Sequence, residues 1–119
     1  MGIAELFRRQ WDGYPRVHRS RTNLLIHIVV VPLFLLGNVG LVVALLSLSW
    51  PLGAISLVVM VISVALQGRG HKQEQIPPDP LTGPANAISR ILLEQWVTFP
   101  RFVLSGKWLL ALRQSSPRG

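Results

Sequence analysis

His18, Asn23 and His27 crowd one end of a run that extends from Thr22 to Gly68 without a single Asp, Glu, Lys or Arg, and Gln67, His71 and Glu74 crowd the other. Asn23 and His27 are four residues apart, as are Gln67 and His71, and His71 and Glu74 are three apart, so each pair shares a face if the local structure is helical. His18 and His27 differ by nine positions, half a turn out of phase on a continuous helix, so a shared site requires His18 to lie outside the helix that carries His27. Three imidazoles and a carboxylate are ligands for first-row metals, either zinc for hydrolysis or non-haem Fe(II) with open positions for oxygen. Asn23 and Gln67 are placed to orient such ligands, or bound water, from behind.

What must bring the two ends together is the run itself. It is long enough for two helices of about 20 residues, each the length that crosses a ~30 Å hydrocarbon core. Pro51 and Gly53 punctuate it within Ser47 to Gly53, where Trp50 suits the interface layer. Helices over roughly 23–48 and from 52 to 67 or beyond are expected, with Thr22 or Asn23 as N-cap of the first. A chain of 119 residues has too little other apolar surface to bury two uniformly hydrophobic helices, so they are read as an antiparallel transmembrane hairpin. The fold class expected is therefore an all-α membrane protein.

The flanks complete one membrane domain over 1–119: an interfacial basic segment (1–22), the hairpin (23–68), a polar loop (69–85) and C-terminal interfacial or re-entrant helices (86–113). Ile3, Leu6, Phe7 and Trp11 recur at helical spacing, as befits a short helix lying in the headgroup layer. Four prolines between Ile76 and Pro84 enforce a loop, after which Asn86 is a candidate cap and Arg90 and Glu94 an i,i+4 ion pair. Pro100 is expected to break or kink that helix, and Arg101 and Lys107 weigh against a third crossing.

The net charge of +7 sits beside the apolar helices, with Arg8, Arg9, Arg16, Arg19 and Arg21 before the first and Arg69 and Lys72 after the second. The positive-inside rule then places both termini in the cytoplasm, at the inner membrane of a bacterium or the endoplasmic reticulum of a eukaryote. Arginines that flank membrane segments match anionic headgroups better than nucleic acid, which is not an expected partner. No cysteine is present, which excludes disulfides and thiolate metal sites. Gly37 and Gly40 read as close-packing positions, and Pro32 as a helix kink.

A histidine at a helix end is ordinarily an interfacial or hydrogen-bonded residue. What favours ligation is that all three histidines of the chain fall at the same end of the hairpin, and that His27 lies inside an apolar helix where an unpartnered polar group is costly.

The combination His18-x-x-x-x-Asn23-x-x-x-His27-x-x-x-x-Pro32, then Gln67-x-x-Gly70-His71, an acidic residue and a proline-containing loop, resembles the membrane family typified by the fungal 2-hydroxy fatty acid dioxygenase, over about Tyr14 to Phe102. The resemblance implies an Fe(II)-dependent enzyme that uses O2 to shorten 2-hydroxy fatty acids by one carbon, an α-oxidation step. It maps the family's histidines onto His18, His27 and His71, with Glu74 a ligand or base; that family's glutamate usually stands four residues after its histidine, whereas Glu74 stands three after His71. Zn2+ is the alternative metal, and Arg101 and Lys107 are minor candidates for holding a substrate headgroup. Two readings of other classes stand beside this one: a non-catalytic basic membrane adaptor for lipid or protein partners, and a metal-dependent lipid hydrolase. A homodimer is compatible with so small a buried core.

Overall fold

In the computed structural model, residues 2–116 are described; Met1 and positions 117–119 of the expected domain lie outside the described residues. Among the described residues the fold is helical throughout, without strands. In order it comprises α1 (Ile3–Gly13), a 3-10 turn (Tyr14–Val17), α2 (Arg21–Ser47), α3 (Trp50–His71), α4 (Pro84–Leu93), a π turn (Glu94–Thr98), α5 (Phe99–Leu104) and α6 (Lys107–Gln114).

α2 and α3 are both long and apolar enough to cross a membrane. They are joined through Leu48, which closes α2 in the left-handed conformation at φ +54°, and Ser49, whose hydroxyl accepts from the Leu52 N–H to cap α3. Pro51 stands in the first turn of α3, where its missing N–H leaves no intrahelical bond unmade. The breakpoint thus falls inside the expected Ser47 to Gly53 segment, while α3 starts earlier than residue 52 and continues to His71. At its other end α2 begins at Arg21, capped by Ser20, whose hydroxyl accepts from the Asn23 N–H, and not by Thr22 or Asn23.

Contacts between the two helices move backward along α3 as they advance along α2. Gly70 lies against Asn23, the Ser63 hydroxyl donates to the Val30 carbonyl at 2.6 Å, and Gly37 and Gly40 lie against Met60 and Ser56. A Cβ on Gly37 would stand 2.6 Å from Met60 Cγ and 3.1 Å from the Ser56 carbonyl oxygen, so a side chain there would part the helices, whereas one on Gly40 would meet only the Ser56 side chain. The outward sides are bare hydrocarbon: Leu36, Leu45 and Leu46 are 66%, 68% and 83% exposed. Water is a poor solvent for such a surface, and lipid is a good one.

The folded core lies at the other end. Tyr14, Leu24, Val31, Phe99 and Phe102 form it, with Trp11 and Trp108 packed against them. The Trp108 indole donates to the Leu24 carbonyl at 3.0 Å, and Gly106, at φ +83°, turns α5 into α6 so that this contact forms. One expectation for the C-terminal half fails here, and another is narrowed. Asn86 does not cap α4, which starts at Pro84 behind Gly83; its side chain accepts from the Thr82 N–H instead. Pro100 does not break the helix, because the chain widens into the π turn just before it and the Phe99 N–H reaches back five residues to the Glu94 carbonyl. That turn directs Gln95, Thr98 and Phe99 inward, whereas Ile88, Leu92 and Trp96 stay exposed.

Candidate metal centre

Each histidine reaches the site by a different local device. His18 follows the 3-10 turn and stands outside α2, its ring stacked on Tyr14 at 3.7 Å between centroids. His27 is two turns into α2 and His71 is the last residue of α3. The rings meet nearly at right angles, with interplanar angles of 87°, 80° and 84° and centroids 4.8, 4.7 and 5.0 Å apart. Three mutually perpendicular imidazoles converge on one point as three faces meet at a corner.

The fourth member is Glu94, the first residue of the π turn. One ligand atom from each of His18, His27, His71 and Glu94 lies within 4.8 Å of the others, and this donor set is able to hold a metal ion. Glu94 Oε2 is 3.4 Å from His18 Nε2 and 3.6 Å from His27 Nε2, and it accepts the Tyr14 hydroxyl at 2.7 Å.

Hydrogen bonding on the far side of the rings fixes what those nitrogens present. His18 Nδ1 lies 3.0 Å from the Tyr14 carbonyl and His27 Nδ1 3.0 Å from the Asn23 carbonyl. A carbonyl only accepts, so both Nδ1 atoms carry the proton, and in the neutral rings both Nε2 atoms present a lone pair. Burial pushes His18 below its ordinary pKa, which favours that neutral form. Two lone pairs then face the Glu94 carboxylate, whose Oε2 already accepts the Tyr14 hydroxyl. Lone pairs and an anion repel unless a cation lies among them. His18 Nε2, His27 Nε2 and His71 Nδ1 are all buried without a hydrogen-bond partner, as ligands awaiting a metal would be. Tyr14 is kept protonated, its pKa raised well above the ordinary value by burial and by Glu94, so its hydroxyl remains a donor to the carboxylate. Tyr14→Phe is accordingly expected to preserve the fold but weaken metal affinity by about 10- to 100-fold, the usual effect of removing a ligand's own hydrogen-bond partner, measured by competition with a chelator.

Of the residues expected from sequence, His18, His27 and His71 come together and Glu74 does not join them. α3 ends at His71, and the chain beyond it leaves the helical phase that would have kept Glu74 beside the imidazole. The Glu74 carboxylate instead accepts from the backbone N–H groups of Arg19 and Ser20 at 2.9 to 3.0 Å and from Asn23 Nδ2 at 2.7 Å. It is an anion at the N-terminus of α2, which favours negative charge, and it ties the end of α3 to the start of α2. The Arg90–Glu94 ion pair is likewise absent, since Arg90 donates to the Asp79 and Pro80 carbonyls while Glu94 faces the histidines.

Asn23 supports the site through its carbonyl to His27 and its amide to Glu74. Gln67 pairs reciprocally with Gln95, at 2.9 and 2.7 Å, and with Ser63, a closed polar network between α3 and the π turn. Arg101 and Lys107 lie over the Trp11 ring, 3.9 and 4.7 Å from its centroid. Sequence reading misses Glu94 and Tyr14. The available signals were that the chain has only five acidic residues, one of them set in the apolar C-terminal stretch, and that Tyr14 stands one helical turn before His18. Compared with known proteins, the chain finds no match among family models, curated proteins or solved structures.

Proposed function

We propose that this chain is an integral-membrane, non-haem Fe(II) oxygenase that shortens a lipid-derived 2-hydroxy acid by one carbon. The observation that carries the reading is the convergence of three partnerless, buried imidazole nitrogens on the Glu94 carboxylate. α2 and α3 serve as a transmembrane hairpin with both termini cytoplasmic, which sets the four ligands at the boundary between the hydrocarbon and the aqueous phase. A lipid carrying a polar head on an apolar tail presents its head at that depth.

The residues fit a metal: His18, His27, His71 and Glu94 would hold it, and iron would supply the binding and reduction of O2. The chain's own groups do the rest. Backbone carbonyls of Tyr14 and Asn23 hold His18 and His27 in the tautomer that leaves Nε2 free. Tyr14 holds Glu94 in place and keeps its hydroxyl proton at Oε2. The substrate class follows from the resemblance carried by the His18 to His71 pattern, and its balance is self-contained: a 2-hydroxy acid and one O2 give the acid one carbon shorter, carbon dioxide and water, with no external reductant.

The test is metal analysis of the detergent-purified chain after anaerobic Fe(II) reconstitution, followed by oxygen uptake with 2-hydroxypalmitate. Near-stoichiometric iron and uptake of about one O2 per acid consumed, as that balance requires, is the expected result. Tight zinc with turnover in the absence of oxygen would instead establish the hydrolase. A folded chain that takes up no metal would leave the basic membrane adaptor.

A further inference from the structure

The His18–His71–Glu94 side of the centre opens through a cleft of about 90 Å³, bounded by the end of α1 and its 3-10 turn, by Pro78 and Asp79, and by α4. Three other charged side chains line this opening: Arg16, Asp79 and Arg90. Arg90 is held along the loop, donating to the Asp79 carbonyl at 2.8 Å and the Pro80 carbonyl at 2.9 Å. The Asp79 carboxylate lies 3.9 Å from Arg9 Nε, both side chains being exposed. Arg16 is different. Among the described residues it makes no hydrogen bond or ion pair, and its guanidinium folds over Gly13, where a Cβ would stand 3.4 Å from Nη2. An arginine without a partner thus stands at the rim of the cleft, two residues before the first imidazole.

A planar guanidinium offers paired donors in the geometry of a carboxylate, and its charge-assisted hydrogen bonds are about twice as strong as neutral ones. We propose that Arg16 is the residue that recognises the carboxylate of the substrate at the mouth of the metal centre, a role that Arg101 and Lys107, engaged with Trp11, do not fill. This assignment rests on the oxygenase reading for the identity of the acid, but not for the existence of an anion site. It makes the protein selective for acids over neutral lipids of the same length, and it brings the α-carbon next to the His18–Glu94 side of the centre.

The experiment is equilibrium binding of 2-hydroxypalmitate and of its neutral counterpart 1,2-hexadecanediol to the metal-free chain, in a nonionic detergent without phospholipid. Wild type, Arg16→Gln, Arg16→Lys and Arg19→Gln are compared, and Fe(II) uptake is measured on each. Wild type is expected to prefer the acid; Arg16→Gln weakens acid binding by about tenfold or more, with diol binding and iron uptake unchanged. Arg16→Lys, which keeps the charge without the fork, falls between, and Arg19→Gln matches wild type. Equal affinity of wild type for acid and diol, or equal acid binding by wild type and Arg16→Gln, overturns the assignment while leaving an iron-loaded centre intact. An acid preference that vanishes with Arg16→Gln in a chain that takes up no iron keeps the anion site and removes the oxygenase.

Discussion

Glu94→Ala is expected to abolish metal binding, whereas Glu74→Ala is expected to keep the metal and lose stability. The contrast follows from where the two carboxylates point. Glu94 Oε2 stands 3.4 and 3.6 Å from two imidazole nitrogens that have no other partner, so its loss removes both a ligand and the negative charge that compensates a dication. Removing even a residue behind a ligand costs about 10- to 100-fold in affinity, and removing a ligand should cost more. Glu74 satisfies two backbone N–H groups and the Asn23 amide. Replacing it leaves those donors uncompensated and detaches the loop after α3 from α2, at a cost of about 1–3 kcal/mol. Thermal unfolding in detergent with and without a chelator separates the two effects. Wild type and Glu74→Ala should lose stability when chelated, since a ligand that binds only the folded state stabilises it. Glu94→Ala should be insensitive to the chelator. Full metal occupancy in Glu94→Ala, or its loss in Glu74→Ala alone, would return the site to the arrangement expected from sequence.

Glu74 has the sequence spacing of a ligand but not its position in space. Periodicity is dependable inside a helix, and it correctly paired His27 with Asn23 and recognised that His18 must lie outside α2. It lapses where the helix stops: His71 is the last residue of α3, so the three-residue step to Glu74 carries no angular information. Glu94 was hidden by the opposite error, a helical rule applied where the helix is irregular. An i,i+4 partnership with Arg90 is sound for a regular, exposed helix, but the π turn starts at Glu94 and turns that carboxylate inward. The long apolar helices were legible because uncharged length is a one-dimensional property. The wide turn ahead of Pro100 was not, because it depends on what α4 and α5 pack against.

The second large effect is expected at Gly70, in the last turn of α3. An added Cβ there would stand 2.3 Å from Asn23 Oδ1, 3.2 Å from its Cγ and 3.3 Å from its Cα. The side chain cannot yield freely, because Asn23 is fully buried and its amide is held by Glu74. Its backbone cannot yield either without moving the carbonyl that orients His27, and Gly70 itself is bonded directly to His71. Gly70→Ala must therefore separate α2 from α3 at the one level where His27 and His71 face each other. Overpacking of this kind costs about 1–3 kcal/mol, and the displacement should also lower metal occupancy, since ligands a few tenths of an ångström out of place no longer share one ion. Gly68→Ala is the internal control: nothing lies within 4 Å of its added Cβ, and alanine is the better helix former by about 1 kcal/mol. Thermal unfolding and metal content of the two variants should move apart, Gly68→Ala equal to or more stable than wild type and Gly70→Ala less stable and metal-poor. If the two glycines respond alike, close approach of the helices is not what sets the distance between His27 and His71. The convergence of the imidazoles would then have to come from the loop that carries Glu74.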